Sequence, residues 1–404
     1  MKKAPKIRIK GYEGEWKECL FGSIMDCFSG GTPQANEQTY YGGGIPFIRS
    51  GEINDNNTSL FLSEKGLIYS SAKMIEKGTL LYALYGATSG EVSISRIKGA
   101  INQAILAIYP YKEYDKYFIK CWLEKNKAYI ISTYLQGGQG NLSGNIVKSF
   151  ILKMPQEIHE QRAIATYFRH LDSLIETVDK KLASLKQVKE ASLQSMFPKK
   201  GQKVPEVRFK GFEGEWKTTL LKEISQKVVE KNVKLQYKIT LTNSAEYGII
   251  DQLDFFDHKI SNNDNIRNYY IVRDRDFVYN PRISTSAPVG PINQNLLGYV
   301  GIMSPLYYVF RIHNIDECYL RYFFKTKLWH TFMKDNGNSG ARFDRLSITD
   351  DIFEKMPIIH PADKAEQRKI ASFFVHLDKQ IAIAQQRLDL LRRIKSACLD
   401  EMFV

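Results

Sequence analysis

Residues 5–17 read PKIRIKGYEGEWK, and residues 205–217 read PEVRFKGFEGEWK. Nine of the thirteen positions are identical, and three of the four mismatches exchange one hydrophobic residue for another. A match of this length indicates an internal repeat of two long units rather than a solenoid of short ones.

A second set of repeated words follows later in each half of the chain. The matched words are KMP at 153–155 and 355–357, EQR at 160–162 and 366–368, HLD at 170–172 and 376–378, and MF at 196–197 and 402–403. Between the two sets, residues 30–110 and 230–310 share little that can be aligned. The chain therefore consists of two copies of a fixed frame, each surrounding a variable middle.

The later words of each half predict a long helix. Residues 158–197 lie between Pro155 and Pro198, and proline interrupts helices. Apolar residues recur there every three or four positions, which is the period of a coiled-coil stripe. The first stripe contains Leu171, Ile175, Val178, Leu182 and Leu185, and the second contains Leu377, Ile381, Ala384, Leu388 and Leu391. Each stripe needs a partner, which is either the other helix or the helix's own globular core.

Each middle is predicted to be an α+β globule, because short β-rich words alternate there with clusters of Gly, Asn, Ser and Pro. The sequence thus divides into a first globular domain at 1–155, a first helix and linker at 156–200, a second globular domain at 201–357 and a second helix at 358–404.

The composition favours a soluble nucleic-acid-binding protein of the cytoplasm. The 57 Lys and Arg residues outnumber the 44 Asp and Glu residues, so the net charge is +13, which attracts phosphate. We find no apolar run long enough for a membrane span and no apolar segment after the basic start, so we expect neither a membrane span nor a signal peptide. The five cysteines are scattered, which indicates reduced thiols rather than disulfides or a zinc site.

Motifs for catalysis are missing from the sequence. There is no P-loop, the seven histidines show no metal-ligand spacing, and Asn280-Pro281-Arg282-Ile283 lacks the second proline and the aromatic residue of an N-methyltransferase tetrad. We therefore expect no enzyme, no metal and no cofactor. Two alternatives stay open: a stand-alone DNA methyltransferase or nuclease with built-in recognition domains, and a scaffold that holds a protein complex without binding DNA.

The layout resembles the DNA-specificity subunit of type I restriction–modification systems. The resemblance covers essentially the whole chain and is carried by the two frames, the two variable middles and the helix after each middle. Supporting words are Ser29-Gly30-Gly31-Thr32-Pro33, Ile45-Pro46-Phe47-Ile48 followed by Ser50-Gly51-Glu52-Ile53, and Asn102-Gln103-Ala104.

The resemblance implies an architecture and a set of partners. Each middle would be a target-recognition domain that reads one half of an asymmetric bipartite site in double-stranded DNA. The two helices would form an antiparallel coiled coil with pseudo-two-fold symmetry and hold the domains apart. The chain would bind two modification subunits, which carry S-adenosylmethionine and methylate adenine, and ATP-driven restriction (translocase) subunits could join them.

Candidate DNA contacts are the polar, basic and aromatic residues of the predicted loops, because such side chains reach base edges and phosphates. In the first middle they are Thr32, Gln34, Tyr41, Arg49, Ser50, Tyr85, Thr88, Arg96, Gln103, Gln139 and Asn141. In the second they are Thr242, Asn243, Tyr279, Arg282, Ser284, Thr285, Asn338, Arg342 and Arg345. We expect Arg342→Ala to weaken binding to the target more than to random DNA.

The length of the predicted helices suggests a ruler. About 26 helical residues span roughly 40 Å, close to the ~34–36 Å of one DNA turn. We therefore expect that deleting one heptad from 172–197 changes the spacing of the preferred half-sites.

Overall fold

The computed structural model describes residues 4–135, 141–255, 265–338 and 344–404. The chain forms two compact units, the first comprising Met1–Lys180 and Ala384–Val404 and the second Lys181–Ile383. Each long helix therefore contributes to both units. The end of each helix packs in a globular core, so each unit includes a part of both long helices.

In its described residues the first unit contains ten strands, four α-helices that begin in it and the end of a fifth, α10, which begins in the second unit. In chain order they are β1 (Lys17–Leu20), β2 (Met25–Ser29), β3 (Tyr41–Ile48), β4 (Phe61–Leu62), α1 (Glu64–Ile68), β5 (Lys73–Ile75), β6 (Leu80–Ala83), β7 (Val92–Ile94), β8 (Gly99–Ile101), β9 (Ile105–Pro110), α2 (Lys116–Tyr134), α3 (Gly144–Lys148), β10 (Ile151–Met154) and α4 (Ile158–Ser195), which continues into the second unit.

The second unit contains the remaining described elements. They are β11 (Lys217–Leu220), α5 (Leu221–Ile224), β12 (Ser225–Lys227), β13 (Leu241–Ser244), β14 (Gly248–Asp251), α6 (Gln252–Phe255), β15 (Tyr270–Val272), β16 (Phe277–Tyr279), β17 (Ile292–Gln294), β18 (Gly301–Met303), β19 (Tyr308–Ile312), α7 (Glu317–Phe323), α8 (His330–Asn336), α9 (Asp350–Phe353), β20 (Pro357–His360) and α10 (Lys364–Met402), whose last part lies in the first unit.

The α+β character predicted for each middle is present. Each unit has its own four-stranded central sheet, and the two sheets have the same strand order. The strand order is β2-β9-β6-β7 in the first unit and β12-β19-β16-β17 in the second. Each frame adds a two-stranded sheet, β1-β10 or β11-β20. The antiparallel pairs β5-β8 and β15-β18 also correspond, but β5-β8 belongs to a third sheet, β4-β3-β8-β5, whereas β15-β18 is separate from the pair β13-β14. The aligned frame words thus mark a structural repeat that extends into the unalignable middles.

The opening words fold into the same turn in both units. The two glycines of GYEG and GFEG have positive φ angles, +99° and +88° in the first and +95° and +79° in the second, a region that favours glycine. Arg8 lies across the first turn and donates hydrogen bonds to the carbonyls of Glu13 and Gly14. Its guanidinium also holds the Glu160 carboxylate with two bonds of 2.8 Å. Arg208 does the same with Glu366.

The two MF words complete the cores of the units. Phe403 is buried in the first core, where its ring lies 5.0 Å from Phe118 and 6.1 Å from Trp16. Phe197 occupies the corresponding place in the second core, 6.1 Å from Trp216. The end of each long helix therefore packs on the frame word that opens the repeat.

The long helix predicted over 158–197 is present as α4, and its counterpart is α10. Their predicted stripes are the least exposed faces of the helices: Leu171, Val178, Leu182, Leu377, Ala384 and Leu388 are buried, and Ile175, Leu185, Ile381 and Leu391 are partly buried. In the first unit Lys395 of α10 lies 2.8 Å from Asp172 of α4. In the second unit Lys189 of α4 lies 2.5 Å from Asp378 of α10.

Three further features are absent from the part of the chain that the structure describes. None of its helices combines the length and apolar character that crossing a bilayer requires. We see no cluster of three or more His, Cys, Asp or Glu side chains suited to a metal ion in the same ranges. The five cysteines, all within them, form no disulfide.

Candidate nucleic-acid interface

The candidate interface lies at one end of each central sheet, which we call the loop end. In the first unit it is the end where β6 finishes and β9 begins, since Ala83 pairs with Ile105. In the second unit β16 finishes and β19 begins there, with Tyr279 opposite Tyr308. Antiparallel pairing brings the loops that flank these positions together.

Four predicted residues of the first unit meet at its loop end. The Tyr85 hydroxyl donates a 2.6 Å hydrogen bond to the Gln103 carbonyl, and the Thr32 hydroxyl donates to the Gln103 side chain. Tyr85 and Asn141 form an isolated antiparallel bridge. Burial raises the pKa of Tyr85, so its hydroxyl stays protonated and remains a donor.

The loop that carries Thr32 depends on two glycines. A Cβ on Gly30 would lie 1.8 Å from the Ile101 carbonyl oxygen, and one on Gly31 would lie 2.4 Å from the Ser71 side chain. The SGGTP word therefore lets the loop approach neighbouring backbone closely. Tyr41 steadies the same loop by donating a 2.8 Å hydrogen bond to the Pro33 carbonyl, and Gln34 is exposed beside it.

Arg49 and Ser50 join this edge by strand topology. β3 and β8 are parallel, with Ile48 paired to Ile101, so the residues that follow them emerge at the same edge. The Arg49 guanidinium binds the Glu52 carboxylate at 2.8 Å. Hydrogen bonds from Arg49 lower the pKa of Glu52 to about 2, so this carboxylate stays charged and orients the arginine.

Two predicted residues of the first unit are placed differently, and a third lies outside the described residues. Arg96 follows β7 near the opposite end of the sheet, where Ile94 pairs with Leu80, and it contacts Glu176 of α4 at 3.1 Å. Thr88 is half-buried in a turn after Tyr85. Gln139 lies outside the described residues.

The second unit gathers two arginines at its loop end. Arg282 and Arg345 form an isolated bridge, and the Asp344 carboxylate lies 3.8 Å and 3.9 Å from their Nε atoms. The Arg282 side chain is 62% exposed. Asn338 joins them through paired backbone bonds with Ser347. Ser284 and Thr285 are exposed in the turn after Arg282, whereas Arg342 lies outside the described residues.

A cavity of about 520 Å³ opens beside these arginines. It is lined by predicted residues (Thr242, Asn243, Arg282, Ser284 and Arg345) and by Tyr307, which the sequence analysis missed. The Tyr307 hydroxyl lies 3.2 Å from that of Thr242. Tyr307 directly precedes β19. The nearby Pro305 was the available signal that Tyr307 belongs to the loop before the strand and not to the strand itself.

Two predicted residues of the second unit, Asn243 and Tyr279, are buried in its interior. Asn243 is 1% exposed, and its amide donates to the Val278 carbonyl while its oxygen accepts from Asn293. Tyr279 is 2% exposed, and its hydroxyl donates to the Val289 carbonyl. Burial raises the pKa of Tyr279. Both side chains have their partners within the unit, which gives them a structural role there.

Comparison with known proteins identifies one family. A family model described as the type I restriction modification DNA specificity domain matches residues 13–187 and again residues 213–393. The type I restriction enzyme MjaIX specificity subunit of Methanocaldococcus jannaschii is 27% identical over 186 residues. That alignment covers 43% of this chain and 42% of the relative.

Solved structures of similar fold cover nearly the whole chain. The S subunit of a type I restriction-modification system from M. genitalium superposes with a TM-score of 0.65 and 14% identity, covering 99% of both chains. A chain from a structure on complex assembly and conformational transition of the type I R-M system gives a TM-score of 0.51 and 14% identity, covering 96% of this chain and 97% of the other. At these identities the likeness concerns the fold.

Proposed function

The chain belongs to the type I restriction–modification DNA-specificity family, and from this premise we propose that it is the non-catalytic subunit that reads an asymmetric bipartite site in double-stranded DNA. The observation that carries the proposal is the double match of the family model, once on each half of the chain. The two loop ends support it, because they extend from central sheets of the same strand order but present different side chains. Unlike reading faces on like frames suit a site with two unlike halves.

We further propose that α4 and α10 pair along their lengths as an antiparallel coiled coil. The ion pairs Asp172–Lys395 in the first unit and Lys189–Asp378 in the second support this pairing. In this proposal the helices act as a ruler that sets the number of unread base pairs between the half-sites.

The proposed partners carry the chemistry. Two modification subunits with S-adenosylmethionine would methylate adenine at the site, and ATP-dependent restriction subunits would join the complex. This assembly would act in the cytoplasm, where its DNA is. The chain itself would need no cofactor.

Mapping methylated adenines tests the proposal. The chain is co-expressed with the modification subunit of its own system in a host without adenine methylation, and the host genome is sequenced for modified bases. We expect one asymmetric motif of two short halves and a fixed unread spacer. A contiguous or palindromic motif would contradict the proposal. The purified chain alone, given DNA with S-adenosylmethionine or Mg²⁺, should leave the DNA unmodified and uncut.

Arg282 provides a test of base reading. We expect Arg282→Ala to weaken binding to the mapped site by about 1–3 kcal/mol, because in this proposal its exposed side chain binds a base edge. Binding to a duplex with a scrambled second half-site should change less, as measured by fluorescence anisotropy at fixed salt. Arg387→Ala, an exposed arginine on α10, is the matched control. Equal losses on both duplexes would reduce Arg282 to a phosphate contact.

Paired deletions test the ruler. In the proposed pairing, counting along the helices from the two ion pairs would bring residues 177–183 of α4 opposite residues 384–390 of α10. Removing both heptads shortens the pair by about 10 Å, or about three base pairs of DNA. We expect methylome mapping to return the same half-sites with a shorter spacer. An unchanged spacer would contradict the ruler.

A further inference from the structure

The repeated Glu-Gln-Arg word contains one residue that the fold does not use. Glu160 and Glu366 bind the arginines of the opening words. Gln161 accepts from the Asp115 N–H at 3.0 Å and donates to the Pro155 carbonyl at 3.0 Å. Gln367 makes the same two bonds, to Asp316 and Pro361. That leaves Arg162 and Arg368, the third residues of the two words, without a role in the fold.

Arg162 and Arg368 are exposed on the first turns of α4 and α10. Within the described ranges, neither guanidinium has a hydrogen-bond or ion-pair partner. Two neighbouring exposed positions have changed, since His159 corresponds to Ala365 and Arg169 to Val375, whereas the exposed His170 and His376 are kept. An exposed arginine that recurs without a structural partner, next to exposed positions that have changed, points to a ligand outside the chain.

Each arginine lines a cationic cavity. Arg162 borders one of about 450 Å³ with Lys77, Lys112, Lys116 and Arg169, and Asp115 is the single acidic residue in its lining. Arg368 borders one of about 370 Å³ with Lys379 and His376, and Asp316 is the single acidic residue there.

The two cavities occupy equivalent places in their units. Asp115 caps the helix that follows β9, and Asp316 caps the helix that follows β19. These helices begin beyond the ends of β9 and β19 that lie opposite the loop ends. Strands of five or six residues put roughly 15–20 Å between the two ends of each sheet. The cavities are therefore separate from the candidate DNA-reading loops.

We infer that Arg162 and Arg368 are carboxylate-binding residues of two equivalent docking surfaces, each for the same acidic segment of a protein partner that binds the chain twice. The inference rests on the proposed function and adds the chemistry of the contact with the modification subunit. The planar guanidinium suits bidentate binding of a carboxylate, and the surrounding lysines attract an acidic segment. Position favours a protein over DNA phosphate, because the cavities lie at the ends of the sheets away from the reading loops.

Counting bound subunits tests the inference. The full chain is co-expressed with the modification subunit of its own system, and the mass of the intact complex is measured by native mass spectrometry. We expect two copies on the wild-type chain, one copy on Arg162→Glu, one on Arg368→Glu and none on the double variant. Lys10→Glu with Lys210→Glu, a repeated and exposed pair of frame lysines, is the charge-matched control and should keep both copies. Binding of the mapped DNA site by the double variant alone reports that the chain is folded.

The remaining outcomes separate the two hypotheses. Two copies on the double variant would overturn the inference and leave the proposed function intact. Loss of DNA binding with both copies retained would assign the arginines to phosphate and also overturn it. If the lysine control also lost bound subunits, the effect would be one of overall charge and not of a specific site, and the inference would fail. A wild-type chain that binds neither the modification subunit nor DNA would overturn the proposed function itself.

Discussion

Replacing Arg8 with methionine is expected to lower the free energy of unfolding of the first unit by about 3–5 kcal/mol, because it leaves a buried carboxylate unpaired. The Glu160 side chain is 4% exposed and that of Arg8 is 16% exposed, so water cannot replace the lost guanidinium. The same arginine also satisfies two carbonyls of the opening turn. The turn and the start of α4 should therefore loosen together.

Hydrogen exchange followed by mass spectrometry measures this effect. Amides in residues 5–17 and 158–170 that exchange through unfolding should do so at least about 100-fold faster in Arg8→Met. Arg208→Met is the matched variant, and it should act on residues 205–217 and 364–376 instead. The double variant Arg8→Met with Glu160→Met should recover most of the loss, because no charge stays buried. A double variant as unstable as the single one would show that packing, not the unpaired charge, dominates.

The frame could be predicted from the sequence because its words occur once in each half of the chain. The repeat, the long helices and the α+β middles follow from matched words and from apolar periods, which need no knowledge of distant contacts. The role of EQR did not follow, since Glu160 and Arg8 are 152 positions apart. Only the recurrence of both words hinted that they belong together.

The common central sheet was hidden in the sequence. β6 and β16 hold corresponding places, although LLYA and FVY share few residues. Buried strands accept many combinations of apolar side chains, so topology can persist after similarity is lost. Alignment of the middles could not have found it.

The candidate DNA contacts were only partly predictable, because residue type does not reveal which way a side chain points. Arg282 and Asn243 were chosen on the same grounds. Arg282 lies in an exposed turn, whereas Asn243 lies on β13 and bonds to neighbouring strands. Leu241, Thr242 and Asn243 of β13 are all buried, so the polar type of Asn243 does not reveal that it faces the interior.

Phe403→Ala should cost about 3–5 kcal/mol of the stability of the first unit, the amount typical of removing a buried phenylalanine ring. Phe403 is 3% exposed and contacts rings from the opening frame, from α2 and from α4, including Phe168 at 5.9 Å. Its removal leaves a cavity bordered by all three segments. Hydrogen exchange should therefore also become faster in residues 5–17, although they lie at the other end of the sequence.

The matched variant Phe197→Ala makes this prediction specific. Phe197 contacts Trp216, Tyr319 and Phe374 in the second unit, so its loss should speed hydrogen exchange in residues 205–217 and leave residues 5–17 unchanged. Phe403→Ala should give the reverse pattern. Leu390→Ala, a change at a half-exposed position of α10, should alter neither segment by much. If Phe403→Ala frayed only the last turn of α10, the end of that helix would be an appendage rather than part of the first core. The MF words recur because each closes a core whose other half is a frame word, and exchange at residues 5–17 measures that closure directly.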